Sequence, residues 1–441
     1  MYRLWSFVER YSLLLVTGAL IALAWANAAP GSYRHFVEYP LLFNDVIGFA
    51  RHHWEPAAGP ELASRFGGQA ERVLTVRYLV NDILMAFFLA IAAKEVWEAI
   101  VLRNGSLRGR KAATPLLATA GGMIGPVVVY LGLAALLGSE TYDAVARGWA
   151  IPTATDIAFS YLVGRIVFGA GHPAVRFLLL LAIADDAAGL VIVAVFYPEG
   201  DLAPMWLLLS VFSAVGVFVL ANWLPRELDR GYRTRPLSTW MRDGLSFWPY
   251  LIAGAISWFG FARSGLHPAL GLLPIVPTIP HADRAFGVFA EAEQRLTDLL
   301  NHCARLLRRP VEVILFLFGL CNAGVEVSAI GAPTWLVLAG LLIGKPLGVL
   351  AFGYLGARTL KLGLPEGMTT RDLFVVGCAA SIGFTVSLFL AAVAFAPGEV
   401  QSAAKMGALL SFVAAIVSVV AGRVLSVQRR EAAPPPIPAP A

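Results

Sequence analysis

Long apolar runs separated by short polar loops dominate this chain. A helix needs about 20 mainly apolar residues to cross the hydrocarbon core of a bilayer, and twelve segments approach or reach that length. They are 12–29, 78–93, 114–138, 150–169, 174–197, 202–223, 245–262, 266–279, 310–330, 332–357, 372–398 and 402–427. The pattern predicts an all-α polytopic membrane protein with about twelve transmembrane helices, of which 266–279 is the shortest.

Basic residues in the loops predict the orientation of these helices. The loops 94–113, 224–244 and 280–309 each hold five Lys or Arg, whereas 139–149 holds one. Because Lys and Arg accumulate in cytoplasmic loops, both termini are expected in the cytoplasm. The long loop 30–77 follows this rule weakly, and we expect an external insertion that forms a small hairpin or a surface helix.

Composition narrows the class of protein. The chain is 58% hydrophobic and only 14% charged, against about 25% charged residues in soluble domains, so a lipid bilayer is its expected surrounding. The net charge of +5 lies in short loops and does not indicate nucleic-acid binding. The odd number of cysteines suggests no disulfide framework. Residues 1–427 are expected to form the transmembrane domain, and the Pro- and Ala-rich 428–441 a disordered cytoplasmic tail.

Two adjacent carboxylates, Asp185 and Asp186, interrupt the apolar segment 174–197. One carboxylate at the centre of a bilayer costs roughly 2.5–3.5 kcal/mol on insertion scales. Two neighbours also oppose each other's ionisation. Packing does not reward such a pair, so it predicts a site where protons and a cation compete. No nucleotide-binding loop is recognisable, which favours ion gradients over ATP as the energy source.

Asp156 lies four residues after Pro152 within 150–169 and follows Thr155 directly. One interpretation is a kinked helix in which Asp156 bonds to a threonine. The other is a helix broken at membrane depth, whose freed backbone groups line a polar cavity. The ionisable residue beside the proline favours the second. The segment 372–398, with small residues around Thr385, fits either tight helix packing or a second broken helix of an inverted-repeat transporter.

Lys345 lies among apolar residues in the middle of 332–357. A buried lysine needs a counter-charge or loses its proton, and its position is far from an interface to which it could extend. A partner among the three intramembrane aspartates is the economical expectation. One cation against three acids leaves negative charge for an incoming cation.

Other polar residues lie nearer to the ends of apolar segments. Asp82 and Glu95 are expected either to be exposed at the membrane interface, where a carboxylate costs little free energy, or to line a vestibule. Asn322 is expected either to join helices by hydrogen bonds or to line a pathway.

The motifs around these residues, taken in order, resemble the NhaA-type sodium/proton antiporter family. The resemblance implies a bacterial inner-membrane protein, often a homodimer, that expels Na⁺ or Li⁺ and imports protons electrogenically and without a cofactor. It implies that Asp185 and Asp186 bind Na⁺ and carry protons. It also places Asp156 and Thr155 where two broken helices cross, with Lys345 either balancing charge there or pairing with Asp185. The matching motifs are Asn81–Met85, Gly121–Ile124, Gly148–Phe159, Ala182–Asp186, Ser264–His267, Asn322–Val325, Leu341–Gly348, Leu364–Gly367 and Ile382–Thr385.

The chain departs from the family pattern in four places. The segment 45–72 is longer than the usual hairpin region, which affects a family-like dimer contact. Lys94 replaces an apolar residue before Glu95, and Ala99 replaces a second acid, so the pH-sensing cluster is expected to be altered. The run 187–190 after the aspartate pair also differs, which we interpret as a packing change.

Together these features predict a pH-regulated Na⁺/H⁺ exchanger that works by alternating access. K⁺/H⁺ exchange and Na⁺-coupled symport are the nearest alternatives. An intramembrane aspartyl protease using Asp156 and Asp186 is more remote, since the Gly-x-Gly-Asp signature is absent. A cation channel is also less favoured, because channel filters are usually rings formed by several subunits.

Overall fold

The computed structural model describes residues 13–50, 71–101, 112–198, 202–231, 236–280 and 299–431. The chain divides into two compact units. Unit 1 comprises Met1–Gly105 and Leu190–Ser328, and unit 2 comprises Ser106–Gly189 and Ala329–Ala441. The single helix that carries the aspartate pair runs across the boundary at residue 190.

Unit 1 contains most of the shorter elements. Helix α3 (Val76–Val101) has a π-helical turn at Leu79–Leu84, and helix α8 (Met205–Leu228) has one at Val219–Trp223. In chain order the elements are α1 Leu13–Ala28, α2 Pro30–Val37, β1 Pro40–Asn44, β2 Phe49–Ala50, β3 Arg72–Thr75, α3 Val76–Val101, α8 Met205–Leu228, α9 Pro236–Trp240, α10 Trp248–Ser264, the 3-10 turns Pro268–Leu272 and Val276–Thr278, and α11 Leu299–Asn322.

Unit 2 contains the two interrupted segments. Its elements are α4 Ala113–Leu136, α5 Ser139–Val145, the 3-10 helix Ala146–Thr153, α6 Ile157–Phe168, α7 Pro173–Phe196, α12 Ala332–Thr359, α13 Thr370–Ala380, α14 Phe384–Ala394 and α15 Glu399–Val424. Helix α12 contains π-helical turns at Gly340–Gly344 and Leu355–Thr359.

Within the described residues, six helices are long and apolar enough to cross a bilayer, namely α3, α4, α7, α8, α12 and α15. A seventh span consists of α13 and α14, which are bent by 53° at their junction. Shorter apolar helices occur at α1, α6 and Pro268–Thr278. The number and length of these apolar helices are those of a multi-pass membrane protein. The count of twelve helices and the inverted repeats remain predictions.

Two predicted spans differ from the structure for physical reasons. The short apolar segment within 266–279 consists of two 3-10 helices instead of one α-helix, because Pro268, Pro274 and Pro277 remove backbone donors. Helix α11 begins at Leu299, well before the predicted start at 310. Its first turns carry basic residues, which lower the hydropathy and therefore placed the predicted boundary later. Arginine nevertheless has a high helix propensity.

The insertion 30–77 contains both elements that were considered for it. Residues Pro30–Val37 form helix α2, and the strands pair in the order β1-β3-β2. Both pairings are antiparallel, with Leu42 opposite Leu74 and Phe49 opposite Val73. Residues 51–70 of the insertion lie outside the described part of the chain.

The contact between α4 and α12 holds unit 2 together at its centre. A Cβ on Gly125 would collide with the Gly344 carbonyl oxygen, and one on Gly344 would lie 2.6 Å from the Pro126 Cα. Only glycine permits backbones to approach so closely, as in small-xxx-small membrane helix contacts. Lys345 follows Gly344, and its side chain is fully buried within the unit.

The described residues extend into the segment predicted as a C-terminal tail. Residues 428–431 are described, and Arg430 is hydrogen-bonded. Backbone groups at the end of α6 provide its partners, which hydropathy and composition cannot reveal. Residues 432–441 lie outside the described residues.

Candidate functional site: two broken helices that cross in unit 2

The segment 150–169 is interrupted just before Asp156. The 3-10 helix ends at Thr153, residues 154–156 are extended, and α6 begins at Ile157. Pro152 lacks a backbone donor, which helps to end regular helix here. Asp156 is the N-cap of α6, and its carboxylate accepts a hydrogen bond of 3.3 Å from Phe159 N.

The second interruption separates α13 from α14 at residues 381–383. It crosses the first interruption through hydrogen bonds. Asp156 N donates to Ile382 O at 2.6 Å, and Thr155 Oγ1 donates to Ala380 O at 3.1 Å. Ser387 Oγ donates to Ile151 O at 2.7 Å. Each break therefore satisfies backbone groups that the other leaves unpaired, as burial in a membrane protein requires.

The Asp156 carboxylate joins the N-terminal ends of both half-helices. Besides Phe159 N in α6, it accepts hydrogen bonds from Thr385 N, at 3.3 Å, and from Thr385 Oγ1 in α14. Helix N-termini carry partial positive charge. One buried carboxylate, 6% exposed, thus offsets two positive helix ends.

Lys345 balances the opposite charge at the crossing. Its Nζ lies 2.8 Å from Asp185 Oδ2 and also donates to the carbonyl oxygen of Thr153, the last residue of the 3-10 helix. That carbonyl belongs to a helix end with partial negative charge. The ammonium is therefore shared between a carboxylate and a helix C-terminus, both fully enclosed by protein.

The two adjacent aspartates have different surroundings. Asp185 is 4% exposed and paired with Lys345, whereas Asp186 is only half-buried. Successive residues on a helix point about 100° apart, so the backbone itself imposes this difference. The negative charge of Asp186 also attracts the Lys345 ammonium. The arrangement combines one half-buried carboxylate with a buried one that is paired with an ammonium.

Three predicted residues belong to unit 1, whereas the crossing belongs to unit 2. Asn322 exchanges side-chain hydrogen bonds of 3.1 and 2.7 Å with Asn81. Asp82 lies 3.9 Å from His267 Nδ1, and its carbonyl accepts from Trp258 Nε1 at 2.8 Å. Glu95 is half-buried on α3. For Asn322 the geometry is that of a hydrogen bond joining two helices.

Sequence reasoning missed a buried ion pair on α3. Lys94 Nζ lies 3.0 Å from Glu98 Oε2, and their side chains are 5% and 8% exposed. The sequence showed Lys94 only as a departure from the family pattern, with Ala99 in place of a second acid. The spacing of four residues was the available signal, because such residues are neighbours on one helix face.

The fold and the crossing define a multi-pass membrane protein with a buried charged site made by broken helices. The profile of the family described as "Na+/H+ antiporter 1" matches residues 6–425. The chain belongs to this family, whose members are transporters and not enzymes. Membership removes the intramembrane protease from consideration.

Curated relatives extend over nearly the full length. The Na(+)/H(+) antiporter NhaA of Jannaschia sp. (strain CCS1) is 65% identical over 431 residues, covering 98% of this chain and 100% of that protein. The Na(+)/H(+) antiporter NhaA of Geobacter sulfurreducens is 42% identical over 428 residues, covering 96% and 98%. The sodium proton antiporter MjNhaP1 of Methanocaldococcus jannaschii is 16% identical over 96% of this chain and 98% of that chain, with a TM-score of 0.46, which is too low to define the fold.

Proposed function

We propose that this protein exchanges Na⁺ or Li⁺ for protons by alternating access, with Asp185 and Asp186 as the shared site. Family membership supports the exchange of Na⁺ for H⁺, since the relatives carry that name. The observation that carries the site assignment is the unequal pair of carboxylates beside one buried ammonium. Na⁺ and protons are then the transported species, and no cofactor is needed.

Competition for the carboxylates provides the coupling. Lys345 already occupies Asp185, so a cation that enters at the half-buried Asp186 must compete with the ammonium to use both carboxylates. A proton on Asp186 removes the charge that a cation needs. Na⁺ and protons therefore exclude each other, and each conformational change carries one or the other.

The broken helices support the same proposal. The helix ends at Asp156 and Thr153 carry partial charges at fixed positions beside the site. Asp156 and Lys345 neutralise these partial charges without having to move. In such a plan, discontinuous helices bind ions and one bundle moves against the other. We infer that unit 2 carries the ion.

The finer features of the proposal follow the family. Transport is electrogenic, pH-regulated and located in the bacterial inner membrane with both termini in the cytoplasm. A homodimer is also part of it. If more protons than Na⁺ ions cross in each cycle, the membrane potential drives Na⁺ extrusion, at about 2.3 kcal/mol per charge per 100 mV.

The proposal is tested by proton flux in reconstituted vesicles. Asp186→Asn removes the accessible charge with little change of volume, and Na⁺-dependent proton flux should be lost. Asp143→Asn, on the exposed part of α5, is the matched control and should transport normally. Full flux in Asp186→Asn would overturn the site assignment, and parallel titrations with K⁺ and Li⁺ separate the cation alternatives.

A further inference from the structure

The last described residues bind to the C-terminal end of α6 and contact the turn that leads into α13. After α15 ends at Val424, residues 425–431, here called the C-terminal strap, fold back along unit 2. Arg430 N donates to Phe168 O at 2.8 Å, and Gly171 N donates to Arg430 O at 2.9 Å. Phe168 is the last residue of α6, so the strap satisfies a carbonyl that the helix end leaves unpaired.

The Arg430 side chain contacts the turn that leads into α13. A Cβ on Gly367 would lie 2.6 Å from Arg430 Nη1, so the guanidinium rests directly on this glycine. Gly367 has φ +83° and belongs to the turn that leads into Thr369, the N-cap of α13. One residue thus contacts the C-terminal end of α6 through its backbone and the N-terminal approach to α13 through its side chain.

The opposite ends of these two helices are the ends that make the crossing. Helix α6 starts at the Asp156 cap, and α13 ends at Ala380, whose carbonyl accepts from Thr155. Helices of 12 and 11 residues are rigid rods about 1.5 Å long per residue. Hydrogen bonds at one end and the strap at the other therefore fix the relative position of the two rods.

We propose that Arg430 is a positioning residue, and that the C-terminal strap locks α6 to α13 so that the crossing presents Asp156 and Lys345 correctly beside the aspartate pair. The role in ion binding rests on the function proposed above, whereas the docking of the strap does not. Its neighbour Arg429 provides an internal comparison, because that guanidinium pairs with Glu431 at 2.9 Å and is 62% exposed.

Amide hydrogen exchange tests the lock without any transport. Truncation after Val427 removes the docking residues, and truncation after Glu431 removes only the region beyond them. The first should accelerate exchange at Gly171 and in the last turn of α6, and the second should not. Equal exchange in the two truncated proteins would overturn the docking.

A single substitution in the loop provides an independent version of the same test. Gly169→Ala places a Cβ against the Arg430 carbonyl at φ +80°, while Gly363→Ala carries similar strain at φ +78° with no atom of the described residues within 4 Å. Only Gly169→Ala should accelerate exchange at Gly171. The same rate in both variants would contradict the predicted contact.

Vesicle transport tests the positioning role. Arg430→Ala should raise the KM for Na⁺ at least threefold while the maximal rate changes less than twofold, because the charged groups remain but are held less firmly. Arg429→Ala should leave both values unchanged. If Arg430→Ala keeps the KM of the unmodified protein, the positioning role is wrong. Loss of exchange in the unmodified protein would instead refute the proposed function and leave the hydrogen-exchange result standing.

Discussion

Buried polar groups do different work in the two units. In unit 2 they complete interrupted helices: Asp156 joins two helix N-termini, and Lys345 joins a helix C-terminus to Asp185. In unit 1 they bond to each other, as the amides of Asn81 on α3 and Asn322, the last residue of α11, do. The two units therefore differ in what a buried polar side chain satisfies: helix ends and a buried charge in unit 2, another side chain in unit 1.

This difference predicts unequal consequences of mutation. Where two polar side chains bond to each other, the loss of one leaves only its partner unsatisfied. At a broken helix the same loss also exposes a helix end or a buried charge. The expected effects are therefore largest at the crossing and smaller at the side-chain pairs of unit 1.

The largest effect is expected at Lys345. Lys345→Met leaves Asp185 buried without its cation and should lower the free energy of unfolding by about 3–5 kcal/mol, measured by equilibrium unfolding in mixed micelles. Adding Asp185→Leu should recover part of this loss, because an apolar pair replaces an ion pair at little cost. Neither variant should exchange Na⁺ for protons. A single variant as stable as the unmodified protein would contradict the comparison.

A smaller effect is expected at the ion pair of α3. Lys94→Met leaves Glu98 without its partner in an intact helix, and we expect a loss of about 1–3 kcal/mol. The exchanged pair, Lys94→Glu with Glu98→Lys, should recover most of that stability and keep transport. Transport lost in the exchanged pair despite restored stability would show that this ion pair belongs to the pathway.

The amide pair of unit 1 should contribute less again. Hydrogen bonds between membrane helices average about 0.6 kcal/mol, with a maximum near 1.7 kcal/mol. Asn81→Ala, Asn322→Ala and the double variant form a cycle whose coupling energy should fall in that range. Proton flux should continue in all three. Flux abolished in Asn322→Ala would instead support a pathway role for this residue.

The smallest effect is a pH dependence at His172, in the loop between α6 and α7. Burial lowers the pKa of His172, Asp372 opposes this shift, and Arg430 adds to it. Its Nδ1 accepts a hydrogen bond from Ala174 N at 3.2 Å, which requires the unprotonated nitrogen. The unfolded chain, with an ordinary histidine pKa of about 6.5, binds the proton first. Stability should therefore fall as the pH drops below about 6.5 and level off below the folded-state pKa.

Thermal unfolding across this pH range measures the effect. His172→Asn keeps an acceptor for Ala174 N but does not titrate, so its unfolding temperature should depend less on pH. An unchanged slope would mean that other groups cause the dependence.

Hydropathy and local chemistry predicted much of this fold. Apolar length identified the long spans, and Pro152 with Asp156 indicated the first break. Local chemistry narrowed the partner of Lys345 to three aspartates, and only the family resemblance offered Asp185 by number, because this pairing joins residues 160 positions apart. Only the packing of α12 against α4 and the crossing fixes that distance.

Other features were beyond local reasoning for related causes. The Lys94–Glu98 pair had the spacing of a helix pair, but hydropathy treats both residues as penalties. By its sequence, the C-terminal strap cannot be told from the proline-rich tail that follows it. Its hydrogen-bond partners are backbone groups of Phe168 and Gly171, which the sequence does not indicate. Backbone acceptors leave no signature in side-chain chemistry.

Proton release on Na⁺ binding tests the central claim most directly. When Na⁺ is added to the purified protein in weakly buffered detergent solution, competition at Asp185 and Asp186 should release protons, and Asp186→Asn should abolish the release. The number of protons released should fall as the starting pH rises, because the carboxylates are then already deprotonated. Saturable Na⁺ binding without proton release at any pH would contradict a shared site for the two ions.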